Sequence, residues 1–452
     1  MKRRTFLHKS GIAAAALGLP TLSAVGASPR KIGPNDKIRL ATIGYGIQGH
    51  YDTRSALATG QAELVAVADL YKDRLTRAKE MHGKDLFTTR DYREILDRKD
   101  IDAVIIATAD HWHDAITIDA LKAGKHVYCE KPMVQQINEG LPVIEAWKAA
   151  GTTMQVGSQR ISGTVFREAK RQIAEGAIGE INYIESNNDR FSAIGAWNYT
   201  IPEGTSAKDV NWDTFLKDSP EHSYDPKRFF RWRNYKDYGT GVAGDLFVHL
   251  ITGVHYAIDS LGPNRIYASG HLSYWKDGRD VPDVMAAIFD YPKTDAHSEF
   301  QMVLRVNFAN AGNINNFTRI IGTEGQLDIG WNRLTLSQKQ LPKAPGFGGY
   351  DSVFTLSEKE QNKAQKAYDN LYSEADRKAP EPKEVVFQEP EGEDQHVNHF
   401  DDFFSNAREG NQGTVEDPVF GFRAAAPVLA CNDSYFQKKV IHWDPEAMKV
   451  AE

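Results

Sequence analysis

Gly44-Tyr45-Gly46-Ile47-Gln48-Gly49 is the stretch on which the fold turns. A short apolar run, 38–44, leads into it, and a helical pattern, 48–59, leads out. In that strand-to-helix setting each glycine has a job. The first permits a tight turn, the second lets the backbone approach a pyrophosphate, and the third lets the helix pack closely on the strand. The helix N-terminus then offers free N–H groups to a phosphate. Gly44, Tyr45, Gly46, Ile47, Gln48 and Gly49 are therefore candidate dinucleotide-binding residues.

Working outward, the next strand pattern, 62–68, stops at Asp69, twenty positions after Gly49. An acid there accepts hydrogen bonds from ribose hydroxyls and repels a 2′-phosphate, which favours NAD over NADP. Arg74, five residues on, could still pair with a 2′-phosphate and keeps NADP as the lesser expectation. Strand patterns recur at 103–107, 126–129 and 153–156, with helical stretches at 73–81, 92–96, 114–123 and 137–149 between them. That alternation predicts right-handed βαβ units and a parallel sheet. Glu130-Lys131-Pro132 follows one of these strands, at the sheet end where open α/β folds bind ligands. A lysine there could donate to a hydroxyl or carbonyl, or tune a neighbouring acid.

Beyond residue 159 the texture changes. A helix at 165–175 precedes longer strand patterns at 179–186, 265–272, 284–291, 300–307 and 317–321, with few helices between them. The expected class is α/β: an N-terminal Rossmann fold, 35–158, and a C-terminal α/β domain with a mostly antiparallel open sheet, 159–452. Residues 337–384 read as a polar excursion with one helix, and helices at 394–408 and 419–437 close the chain.

The composition is globular, with 41% hydrophobic and 25% charged residues in 452. A net charge of −7 argues against a nucleic-acid partner. Cys129 and Cys431 give no metal spacing and no disulfide framework, and read as two core thiols. Residues 1–34 form a leader and linker. Met1-Lys2-Arg3-Arg4-Thr5-Phe6-Leu7, followed by an apolar run at 11–19, looks like a twin-arginine signal that exports folded protein. The apolar run is too short to span a bilayer, and no later segment reads as transmembrane.

Taken together, Gly44–Gly49, Asp69, Thr108-Ala109-Asp110-His111-Trp112-His113 and Glu130-Lys131-Pro132 resemble the Gfo/Idh/MocA family. In the second half, Gly241-Val242-Ala243-Gly244-Asp245-Leu246-Phe247-Val248-His249 resembles its D-x-x-x-H segment, and Gly322-Thr323-Glu324-Gly325 its G-T-E-G turn. The resemblance implies that Lys131 lies beside the reacting carbon, that Asp245 orients the substrate and that His249 is the general acid/base. Asp245 and His249 are four apart, so on a helix they would share one face. Thr108, His111, His113, Glu130 and Gln159 join the cofactor candidates. Arg160 and His255 are substrate candidates, with Arg231 and Trp232 from Phe229-Phe230-Arg231-Trp232-Arg233. Many relatives carry an aspartate three residues after the histidine; here it is Thr252. No metal is expected, since the spacing of Asp245, His249 and His255 is not a metal signature. An open sheet often becomes an interface, and the resemblance implies a homo-oligomer, dimer or tetramer.

These readings point to an oxidoreductase that moves a hydride between a sugar or polyol carbon and NAD(H). Free NAD is scarce outside the cytoplasm, so an exported enzyme would carry a tightly bound cofactor and recycle it within its cycle. A redox-neutral NAD-dependent glycosidase or lyase is the alternative, and a non-catalytic sugar-binding protein the second. The retained Lys131 favours net oxidoreduction.

Overall fold

The computed structural model describes residues 32–33 and 36–451. The leader and its paired arginines lie outside the described residues. Among the described residues the strands form two sheets.

The first sheet contains β1 (Ile38–Ile43), β2 (Ala62–Ala68), β3 (Phe87–Thr89), β4 (Ala103–Ile106), β5 (His126–Glu130) and β6 (Met154–Gly157). Their order is β3-β2-β1-β4-β5-β6, and every pair is parallel. Helices cover both faces, which is why β4 reads as an unbroken apolar run, Ala-Val-Ile-Ile, buried at all four positions. The order reverses between β1 and β4, and a crevice opens there at the strands' C-terminal ends. Helix 137–150 begins with a capping box between Gln136 and Glu139 and ends at Gly151 in the left-handed conformation, φ 70°.

The second sheet has ten strands. They are β7 (Ile181–Asn187), β8 (Arg265–His271), β9 (Val284–Tyr291), β10 (Phe300–Asn307), β11 (Thr318–Gly322), β12 (Gly325–Ile329), β13 (Arg333–Gln338), β14 (Lys383–Gln388), β15 (Ile441–Asp444) and β16 (Lys449–Val450). Their order is β14-β13-β12-β11-β7-β10-β9-β8-β15-β16, antiparallel except for the β7–β10 pair. Alternation sets its inner face: Met285, Ala287 and Phe289 of β9 and Met302, Leu304 and Val306 of β10 are fully buried. Helix Pro418–Gln437 lies between the domains, packing on helix 137–150, on β6 and on β8.

Three features depart from the sequence expectation. Helix Gln395–Glu409 belongs by packing to the first domain: Phe400, Phe403 and Phe404 share a core with Ile38, Leu40 and Tyr128. The chain therefore crosses back over the boundary drawn at 158/159. The 337–384 excursion does hold one helix, Glu358–Leu371, but β14 then returns to pair with β13 along six residues. Short helices at Ala207–Val210, Trp212–Leu216 and Pro226–Phe230 pack aromatic residues beside the crevice, where no periodicity marked them. Cys129 and Cys431 are buried free thiols.

Candidate active site

The crevice is a cleft of about 320 Å³, lined along one wall by Gly44, Gly46, Ile47, Gln48, Asp69, Arg74 and Thr108. Two glycines of the turn are required by contacts within the fold. Gly44 has φ +89°, and a Cβ there would lie 2.6 Å from the Ala107 carbonyl oxygen. A Cβ on Gly49 would lie 1.9 Å from the Gly44 carbonyl oxygen, so only glycine lets the helix sit this close. A Cβ on Gly46 would meet the Arg74 guanidinium at 3.5 Å, an ordinary contact distance, so no contact within the fold demands glycine there. Gly49 and Tyr45 do not line the cleft; the Tyr45 ring packs in a core beside Leu75 and Ala78.

Asp69 is fixed as an acceptor. Its carboxylate takes hydrogen bonds from the backbone N–H of Tyr45 at 2.7 Å and of Tyr71 at 2.8 Å. Arg74 approaches it at 3.4 Å and lies against the rings of Phe229 and Phe230. An open glycine turn beside an oriented carboxylate fits the ribose and pyrophosphate of a nicotinamide dinucleotide.

The inner end of the cleft is lined by the side chains of Lys131, Tyr199, Trp232 and Arg233; Asp245 is bonded to two of these, and His249 follows it on the next turn, without either being a lining residue. Lys131, at the end of β5 on a cis Lys131–Pro132 peptide, donates to the Asp245 carboxylate and to the Asp245 carbonyl, both at 3.0 Å. Asp245 sits in a π-helical turn, Ala243–Phe247, that runs into helix Val248–Ile258. Such turns recur at functional sites; here Gly244 leaves room for Thr240, which a Cβ would strike at 2.2 Å. Arg233 binds the same Asp245 oxygen at 3.2 Å and stacks on Trp232 at 4.2 Å. Burial would raise the Asp245 pKa, but Lys131 and Arg233 outweigh it and hold the carboxyl far below the usual range.

His249, four residues on, has a half-buried ring with no hydrogen-bond partner among the described residues. Its surroundings keep it neutral: burial lowers its pKa most, with the charges of Lys131, Arg160 and Arg190 adding to the effect. Behind Lys131, Glu130 accepts from the Gln159 amide at 2.5 Å, and burial pushes its carboxyl up to about 7. Asp110 accepts from the Thr240 N–H at 3.0 Å and hydroxyl at 2.8 Å, and burial, with Asp245 nearby, pushes it to about 7.

Other candidates fall elsewhere. Thr108, Trp232 and His113 line the cleft. His113 is wedged between the carbonyls of Pro132 at 2.8 Å and Thr108 at 3.3 Å, so it pins two loops rather than meeting a ligand. His111 turns away from the cleft and bonds the Phe215 carbonyl at 2.7 Å. Gln159 supports Glu130 and Tyr128 instead of lining the cleft. Arg231 donates to the Tyr199 carbonyl and Asn198 side chain, both at 2.8 Å, and anchors a loop. His255 is buried against the Tyr291 hydroxyl at 2.8 Å, a core histidine outside the cleft. Thr252 spends its hydroxyl on the Val248 carbonyl at 2.6 Å, so it replaces no substrate contact. The sequence reading passed over Arg233 and Asp110, although both lie inside stretches it had singled out. Among the described residues no group of acids, histidines and cysteines is arranged to hold a metal, and no helix is long and apolar enough to cross a membrane.

Comparison with known proteins gives two domain matches. The description "Oxidoreductase family, NAD-binding Rossmann fold" fits residues 38–158, and "GFO/IDH/MocA C-terminal domain" fits 214–328. A scyllo-inositol 2-dehydrogenase (NAD(+)) of Bacillus subtilis is 32% identical over 148 residues, 32% of this chain and 43% of the relative. A levoglucosan dehydrogenase of Pseudarthrobacter phenanthrenivorans is 28% identical over 266 residues, 54% of this chain and 60% of the relative. The matches thus span about half the length of these relatives. In fold, a levoglucosan dehydrogenase solved with NADH and levoglucosan superimposes with a TM-score of 0.62 at 20% identity, covering 90% of this chain and 99% of that one.

Proposed function

The chain belongs to the Gfo/Idh/MocA oxidoreductase family, and from that premise we propose that it oxidises or reduces a carbinol carbon of a sugar or polyol at the inner end of the cleft. One observation carries the reading. Lys131 from the end of a Rossmann strand and Asp245 from the second domain meet at 3.0 Å where the dinucleotide cleft ends, with an unpartnered His249 four residues on.

In the oxidising direction the alcohol loses a hydride and a proton and becomes a carbonyl. The bound dinucleotide supplies the hydride acceptor. His249, as a neutral imidazole, takes the hydroxyl proton. Lys131 has three N–H donors, two of them engaged by Asp245; the third is free for the substrate oxygen and stabilises negative charge developing there. Asp245 fixes the ammonium in place and Arg233 fixes Asp245.

We further propose that the protein is exported folded, with its dinucleotide tightly held and returned to its starting state each cycle. Arg3-Arg4 before Thr5-Phe6-Leu7 supports the export. We also propose that copies assemble through the outer face of the second sheet, where Tyr267 and Ile288 are paired, exposed neighbours on β8 and β9. The test is mass spectrometry of ligands released from purified protein, followed by a sugar and polyol panel read at the nicotinamide absorbance. Bound NAD(H) with its redox state changed by a sugar is expected. A protein that binds NAD(H) but leaves its redox state unchanged with every sugar would overturn the reading.

A further inference from the structure

Around the inner end of the cleft, which Lys131, Tyr199 and Arg233 line, cationic side chains outnumber the acids paired with them. Lys131 and Arg233 share one carboxylate, Asp245. Two more guanidiniums, those of Arg160 and Arg190, act on His249, and among the described residues neither has an acid within ion-pair distance. Arg160 lies between the rings of Phe166 and Trp331, at 5.2 and 5.3 Å, and makes one hydrogen bond, from one terminal nitrogen to the Gly330 carbonyl at 3.2 Å. The Phe166 ring in turn fills the space over Gly253, one turn beyond His249 on the same helix. Arg190, just past the end of β7, donates to the Gly195 carbonyl at 3.0 Å and the Asn188 side chain at 3.4 Å, and lies over Phe308 at 5.6 Å. It faces Asp245, Tyr199 and Arg233, and Tyr199 lines the cleft. Among the described residues, three N–H-bearing nitrogens, Nε and one terminal nitrogen of Arg160 and one terminal nitrogen of Arg190, therefore have no protein acceptor.

Charged groups drawn into a protein interior are costly unless an opposite charge meets them. Guanidinium is the cation whose planar fork matches a carboxylate. We propose that Arg160 and Arg190 form a carboxylate subsite beside His249, and that the substrate is an acidic sugar, a uronate or aldonate, held by its carboxylate while a neighbouring carbinol carbon reacts. This rests on the sugar-oxidoreductase reading and narrows it to one substrate class. Two further facts agree. Burial alone pulls the Arg160 guanidinium down to about 10, with no acid opposing it. Burial pushes the Asp110 and Glu130 carboxyls up to about 7, so they carry less than their full negative charge near neutral pH.

The test is calorimetric titration of the NADH-loaded protein with glucuronate, galacturonate and gluconate against glucose, galactose and sorbitol, with glucose 6-phosphate as a further anion. At least one acidic sugar is expected to bind ~10-fold or more tighter than its neutral counterpart. Arg160→Gln and Arg190→Gln should each weaken the acid by roughly 10-fold and leave a neutral sugar within about 2-fold. Arg190→Lys, which keeps the charge and the packing over Phe308, should retain part of the acid affinity. Equal or tighter binding of neutral sugars, equal weakening of both classes, or tightest binding of the phosphate would each overturn the subsite. If neutral sugars change the redox state of the bound cofactor while acids neither bind nor react, this inference fails and the broader reading stands. If no sugar of either class binds or reacts, the broader reading fails and this one with it.

Discussion

The two ends of the cleft are built from different materials. The dinucleotide end is backbone: Gly44 and Gly49, made necessary by approaches of 2.6 and 1.9 Å, an uncrowded Gly46, and one aspartate clamped by two N–H groups. The substrate end is side chain: Lys131, Arg233 and Asp245 brought together from three elements, with His249 beside them. A backbone cradle is local and keeps its shape when a distant residue changes. A charge network is not, because removing one member leaves the others buried without a partner.

The largest effect should follow from breaking that network. Asp245→Asn removes the carboxylate that Lys131 and Arg233 share. Loss of one partner of a buried pair costs about 3–5 kcal/mol. Denaturant unfolding should show a loss of that order, turnover should collapse, and purified protein should still carry dinucleotide. An unchanged unfolding midpoint would mean that the network does not hold the inner end together.

At the other end the effect should be smaller and confined to the cofactor. Asp69→Ala removes a charged acceptor, and hydrogen bonds to charged groups contribute about 1.5–3 kcal/mol, so NAD should bind roughly 10- to 100-fold more weakly. NADP should lose less, because Arg74 is released to meet a 2′-phosphate. Binding titrations that leave the NAD/NADP ratio unchanged would take Asp69 out of ribose recognition.

Acid should distinguish the two ends by a milder route. Burial pulls His111, His113 and His399 down to about 4 and His255 to about 3. The unfolded chain takes up protons at these positions below about pH 6.5, while the folded protein refuses them until about pH 4. Stability should therefore fall as pH drops through that window. Asp110 and Glu130 act in the opposite sense: raised to about 7, they stabilise the fold at low pH and cease to do so as pH rises from about 4 to 7. Asp110→Asn, which keeps an acceptor for Thr240, should steepen the acid loss of Tm. A slope no steeper than wild type would mean that Asp110 is ionised throughout.

The smallest effect is expected at Thr252. Its hydroxyl is turned to its own helix, so Thr252→Val should cost about 1 kcal/mol or less and leave kcat and KM alone. A raised KM would show that the hydroxyl reaches the substrate.

The same contrast explains what could be read from the chain beforehand. Gly44, Gly49 and Asp69 were legible because the contacts that fix them are made by backbone, in a strand-turn-helix setting that the apolar pattern reveals. β9 and β10 were legible because strict alternation marks one buried face. Arg233 was not, because nothing local separates it from Arg231; only the turn at Trp232–Asn234 decides which arginine points at Asp245. His255 looked like His249 in sequence, and only the packing of Tyr291 shows that it belongs to the core. Helix Gln395–Glu409 was found but assigned to the wrong domain, since its amphipathic face does not say which core it will cover.

The account stands or falls on His249 as the proton acceptor at a site whose cofactor is held elsewhere. The direct test purifies His249→Ala beside wild type, quantifies bound dinucleotide, and follows single-turnover reduction of that dinucleotide by an active sugar across a range of pH. Full occupancy with a rate reduced about 10²–10⁴-fold is expected, as for loss of a general base. Reduction at the wild-type rate over the whole pH range would contradict it and make His249 a packing residue.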